Sequence, residues 1–102
     1  MRAMPTDLPA SPVVVKLPAA LVRLFPGAPR CFELPGSDSV QTVADVIDAL
    51  DDRWPGMRDR ICDSTPRIRR HMNVFVAGER VTLETRLAPG AEVVVLTAIS
   101  GG

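Results

Sequence analysis

Glu92-Val93-Val94-Val95-Leu96 decides the fold, because the run lacks the polar alternation of a strand with one wet face. So continuous a stretch of β-branched and apolar residues suits a strand lying between two neighbours in a sheet. Val13-Val14-Val15-Lys16-Leu17 has the same character, and Pro18 ends it. If the first and last strands are both central, they are adjacent and parallel. A parallel pair needs a long crossover, and the intervening chain has one helix to supply it.

That helix is read over Thr42 to Arg53. Val43, Val46, Ile47, Leu50 and Trp54 recur at helical spacing and form one apolar stripe. Thr42 with Asp45 resembles a capping box, with aspartate in the usual glutamate position. Asp45, Asp48 and Asp52 fall on the opposite side, a solvated face by default although a basic partner could meet it. Pro55-Gly56 stops the helix.

Arg30-Cys31-Phe32-Glu33-Leu34 alternates, with Phe32 and Leu34 inward and Glu33 outward, and makes a hairpin with the first strand. Between them, Ala20 to Phe25 suits either a short helical turn or an irregular edge, and Pro26-Gly27 with Pro29 marks a reversal. Met57 to Arg70 is polar and contains Pro66. Met72-Asn73-Val74-Phe75-Val76 is a third strand, Gly78-Glu79 turns into a short strand at Val81-Thr82-Leu83, and Pro89-Gly90 turns into the last. The order is an α+β one: a mixed sheet of about five strands with one main helix on one face. Residues 1–12, with Pro5, Pro9 and Pro12, read as a flexible leader, 13–97 as the domain, and 98–102 as a flexible tail ending in Gly101-Gly102.

The chain has 102 residues, 46% of them hydrophobic and 24% charged, which suits one domain with a modest core. Twelve basic residues balance twelve acidic ones, so the composition lacks the electrostatic footprint of a nucleic-acid binder. Neither a membrane-length apolar run nor a signal peptide is present in the sequence, and a cytoplasmic location is expected. Cys31 and Cys62 lack partners at metal-ligand spacing, and a cytosolic setting favours reduced thiols over a disulfide. His71, the sole histidine, has no nucleophile placed near it and reads as a surface or strand-end residue. Arg67, Arg69 and Arg70 form a small basic cluster that could hold phosphate; without interleaved aromatics it reads as a solubilised loop. No phosphate-binding loop or dinucleotide fingerprint occurs.

Four pieces in order resemble the MoaD/ThiS sulfur-carrier family. They are Val15-Lys16-Leu17-Pro18 with Leu21 to Phe25, Thr42-Val43-Ala44-Asp45-Val46 running to Arg53-Trp54-Pro55-Gly56, His71 to Glu79, and Pro89-Gly90-Ala91-Glu92-Val93 leading to Ser100-Gly101-Gly102. The likeness spans about Val13 to Gly102. Ala77, Ala91 and Thr97 depart from it, standing where the family commonly has asparagine, aspartate and proline.

The resemblance implies the ubiquitin-like β-grasp fold and a carrier that is not itself a complete enzyme. The Gly102 carboxylate would be adenylated by a separate ATP-dependent adenylyltransferase and converted to a thiocarboxylate. Ser100 and Gly101 would thread the partner's channel, where glycine tolerates whatever backbone angles are imposed. No cofactor or metal would be bound by the chain; ATP-Mg and a sulfur donor belong to the partner. The sulfur acceptor would be a biosynthetic enzyme such as molybdopterin synthase large subunit or cysteine synthase, or one making thiamine or a thionucleoside. An apolar patch on the sheet face away from the helix is the implied docking surface, with neither nucleic acid nor membrane as partner. Phe75 is a candidate for that patch, although parity alone leaves open whether Phe75 or the Val74 and Val76 pair points outward. Two other readings compete: a ubiquitin-like modifier joined through Gly102 to a lysine amine, and a β-grasp binding module whose terminus is never activated.

Overall fold

The computed structural model describes residues 11–36 and 40–97. The expected leader, save Ser11 and Pro12, and the whole expected tail with Ser100, Gly101 and Gly102 lie outside those residues.

The chain runs β1 (Val13–Lys16), α1 (Ala19–Val22), β2 (Cys31–Leu34), α2 (Val43–Arg53), α3 (Met57–Ile61), β3 (Met72–Val76), β4 (Glu79–Arg80) and β5 (Glu92–Thr97). The strands form one sheet in the order β2-β1-β5-β3-β4. At its centre β1 and β5 are parallel, with Val15 opposite Val93, and the other pairings are antiparallel. This is the ubiquitin-like β-grasp. The two unbroken valine runs occupy the interior positions of the sheet, as their composition requires.

Strand parity builds the core. Val13, Val15, Leu34, Met72, Val74, Val93 and Val95 are buried beneath Val43, Val46, Ile47 and Leu50 of α2. The half-buried Phe32 meets Trp54 edge-on, ring centroids 5.4 Å apart, and closes the β2 end of the helix–sheet interface.

α2 starts where the sequence places it, and the capping box is complete. Thr42 Oγ1 accepts from the Asp45 N–H at 3.2 Å, while the Asp45 carboxylate accepts from the Gln41 and Thr42 N–H groups at 2.9 and 3.0 Å. These bonds, led by that from Gln41, hold the Asp45 carboxyl below its ordinary value. The first two helical N–H groups find distant partners: Val43 donates to the Thr85 carbonyl and Ala44 to the Leu83 carbonyl. The 83–87 segment therefore satisfies helix donors that Thr42 cannot reach.

One open expectation is resolved and two change. Ala20 to Phe25 resolves into the short helix α1 and the turn after it. The polar stretch after Gly56 begins with α3, whose Met57 and Ile61 are buried against α2; the Asp51 carboxylate accepts from the Gly56 and Arg58 N–H groups at its start. The short strand is Glu79–Arg80, not Val81–Leu83. The two-residue turn Ala77-Gly78 has positive φ at both positions, 55° and 80°, and pairs Val76 with Glu79 at once.

Candidate functional site

The helices cover one face of the sheet, and the residues of opposite parity meet on the other. Across that open face Lys16 stands between Cys31 and Val94, and Val94 is opposite Phe75, which is opposite Arg80. In neighbouring rows Val14 lies between Glu33 and Glu92, and Asn73 faces Leu96. Phe75 therefore points away from α2, with Val74 buried beneath the helix and Val76 packed on the core. The parity left open by the sequence is settled in favour of an outward Phe75.

Phe75 does not stand alone. Val14, Val94 and Leu96 share its face, and Leu96 is 44% exposed, one of two large hydrophobic side chains so open among the described residues. Their signal was present in the sequence: an alternating strand would have carried polar residues at 14, 94 and 96, and the unbroken runs do not. Central position in the sheet accounts for the backbone of those runs; the uncovered face leaves half of their side chains for another surface.

The patch has a polar margin. Lys16 Nζ lies 3.0 Å from Glu92 Oε2 across the parallel pair. The hydrogen bond to Glu92, reinforced by its charge, raises the Lys16 pKa. Lys16 is the sole lysine of the chain. Cys31 is exposed and free, Cys62 is buried and free, and burial pushes the Cys62 thiol upward. His71 is exposed at the start of β3, consistent with a surface residue.

β5 leads this face to the expected tail. Leu96 is its last open-face residue, and Thr97, the final residue of the strand, pairs with Met72 of β3. The sheet thus presents an apolar strip that ends where the chain leaves it. Such a strip, with an ion pair at one side, can seat a partner surface close to the exit point. The placement of Ser100, Gly101 and Gly102 lies outside the described residues. No helix among the described residues is long and apolar enough to cross a membrane.

Comparison with known proteins agrees with this geometry. The family model described as the ThiS family matches residues 24–102. A chain of the BexX/CysO complex of Amycolatopsis orientalis is 29% identical with a TM-score of 0.74, over 88% of this chain and 99% of that one. SAMP1 of Haloferax volcanii is 29% identical with a TM-score of 0.72, over 90% of this chain and 100% of its own. CysO of Mycobacterium tuberculosis is 27% identical with a TM-score of 0.70, over 85% and 99% respectively. No curated protein sequence matches.

Proposed function

This chain belongs to the ThiS family, and from that premise we propose that it is a sulfur carrier whose Gly102 carboxylate is activated by a partner and loaded with sulfur. The observation that carries the reading is the apolar strip of Val14, Val94, Phe75 and Leu96, which ends beside the exit of the chain from β5. The family match over residues 24–102 takes in Phe75, Val94 and Leu96 of the strip as well as Gly101 and Gly102.

The chemistry follows from the leaving groups. A carboxylate resists a sulfur nucleophile because oxide would have to leave. Attack of the Gly102 carboxylate on the α-phosphate of ATP releases pyrophosphate and makes an acyl-adenylate, from which a persulfide sulfur expels AMP. The resulting acyl disulfide is cleaved by a thiol reductant, leaving the thiocarboxylate. ATP-Mg, persulfide and reductant come from the partner system, and this chain contributes the docking strip and an unhindered glycine end. The activating partner is an adenylyltransferase in the cytoplasm. The acceptor is a biosynthetic enzyme, of which molybdopterin synthase large subunit and cysteine synthase are the leading classes.

The modifier reading has one observation in its favour, since a similar solved structure is described as small archaeal modifier protein 1 of Haloferax volcanii, 27% identical. In this chain the only lysine amine is that of Lys16, which is paired with Glu92. Joining one copy to the next through a lysine would have to use that paired amine.

Incubation with an activating enzyme, ATP-Mg and a persulfide donor should exchange one oxygen for sulfur in the peptide that contains Gly102. Deleting Gly102 should abolish the exchange, whereas replacing Cys31 by Ser and Cys62 by Ala should preserve it. Sulfur mapped to the thiols and released by reductant would refute the carrier chemistry, and an isopeptide product without thiocarboxylate would favour the modifier.

A further inference from the structure

A cavity of about 490 Å³ among the described residues is a groove at the far edge of the sheet. One wall is the loop 66–70 and the other is the 80–84 segment. Half-buried Ile68 and Val81 give the floor its accessible apolar surface, over the buried Met72, Val74 and Leu83, with Asn73 among them. The groove exists because the β3–β4 ladder is short. After Phe75 opposite Arg80 and Val76 opposite Glu79, one further bond joins the Val81 N–H to the Val74 carbonyl at 2.9 Å. The chain then swings away to deliver the Leu83 and Thr85 carbonyls to the start of α2, and the Met72 N–H turns back to the Arg69 carbonyl. The beginning of β3, paired with β5 on one side, is left without a strand on its β4 side.

Arg67, Arg69, Arg70 and Arg80 line this groove, against the single carboxylate of Glu84. The ion pairs among the described residues are Lys16–Glu92 and Arg58–Asp48, so none of the four guanidinium groups is engaged in one. Arg69 is oriented by its Nε, which donates to the Asp59 carbonyl at 2.7 Å and leaves the outer fork of the guanidinium available. In a chain with no net charge, this is a local segregation of positive charge over an apolar floor.

We propose that the groove is the docking site for an extended acidic protein segment with interspersed apolar side chains, carried by the partner that receives the tail. Guanidinium forks pair with carboxylates two bonds at a time, and the floor takes the apolar side chains of the same segment. A nucleic-acid strand would satisfy the arginines and leave the floor empty. No aromatic residue lines the groove for bases to stack on. Met72, in the floor, pairs with Thr97, so the groove opens beside the point where β5 ends. The identity of the partner, though not the chemistry of the groove, rests on the carrier reading above.

The test uses the full chain, a short fluorescein-labelled peptide that alternates aspartate with leucine, and an oligothymidylate strand of equal charge. Titration of the peptide should shift backbone amides in 66–74 and 80–84, weaken with salt, and lose about tenfold in affinity in the exposed double variant R67E/R70E. Absence of shifts, or shifts confined to Val14, Val94 and Leu96, would overturn the proposal, and so would equal binding of oligothymidylate at the same amides. With the activating enzyme, R67E/R70E should raise KM for the carrier and leave kcat unchanged. An unchanged KM would remove the groove from that docking event while leaving the tail chemistry standing. If the parent chain is not adenylated at all, the carrier reading fails and the peptide titration alone decides the groove.

Discussion

The two faces of the sheet are made by the same strands and differ only in parity, yet they meet different surroundings. On the covered face Val15, Val74, Val93 and Val95 vanish beneath α2. One residue along each strand, Val14, Phe75, Val94 and Leu96 remain at least partly open on the other side. Similar side chains thus form the core on one face and an uncovered apolar strip on the other. What separates them is whether the chain itself supplies a cover, and the hydropathy of a residue alone does not tell which.

The sharpest way to break this comparison is to substitute both faces in parallel. Leu50→Ala removes a fully buried side chain under which the sheet cannot collapse, and should cost roughly 2–5 kcal/mol in chemical denaturation. Leu96→Ser, on the open face, should stay within about 0.5 kcal/mol of the parent, as expected for a surface site without special partners. In binding to the activating enzyme the order should reverse, with L96S the more damaging where both proteins are folded. Equal stability losses at the two sites would mean that the open face is covered within the chain.

Much of this was legible before any coordinates. The parallel β1–β5 centre, the α2 stripe and the Thr42–Asp45 box were written in runs and spacings of adjacent residues. α3 was not, because Met57 and Ile61 are two apolar positions in a charged pentapeptide, too few to establish a helical period. The covering of the α2 start by the Leu83 and Thr85 carbonyls joins residues remote in sequence, which no local pattern encodes. Of the open-face strip, Phe75 was named as a candidate with its orientation open and its companions were not named, since continuous apolar runs were explained by central position alone. The basic cluster at 67–70 was visible, but its meeting with Arg80 over an apolar floor depends on the early end of the β3–β4 ladder.

A turn sharpens the contrast between fold and function at a smaller energy. Ala77 adopts φ 55°, where a side chain with Cβ is disfavoured and asparagine is tolerated. Ala77→Asn should therefore stabilise the protein by a few tenths to about 1 kcal/mol, read as a higher denaturation midpoint with an unchanged slope. The turn lies outside the apolar strip, so loading of sulfur at Gly102 should be unaffected. A loss of stability would show that the Ala77 side chain makes a contact more valuable than the relief of its backbone.

The smallest stability effect belongs to the open face and its ion pair. Lys16 and Glu92 are both about half exposed, at 47% and 49% of their side-chain surfaces, where water and salt screen the attraction. The folded pKa of Lys16 is raised above 10.5, chiefly by the hydrogen bond to Glu92. Its contribution is therefore fully present below that unfolded value and is lost as pH climbs through the raised one. Near neutral pH, Lys16→Met should leave the denaturation midpoint almost where it was. The small difference it makes should persist up to the ordinary lysine pKa and vanish at alkaline pH, where the parent loses the pair and the variant has none to lose, so the two stability curves converge. Replacing the ammonium with an apolar group also leaves Glu92 without its cation at the margin of the Val14–Val94 strip, and binding to the activating enzyme should change far more than stability does. Curves that stayed parallel through the alkaline range would show that the pair contributes nothing to folding, and would leave Lys16 with only a role in recognition.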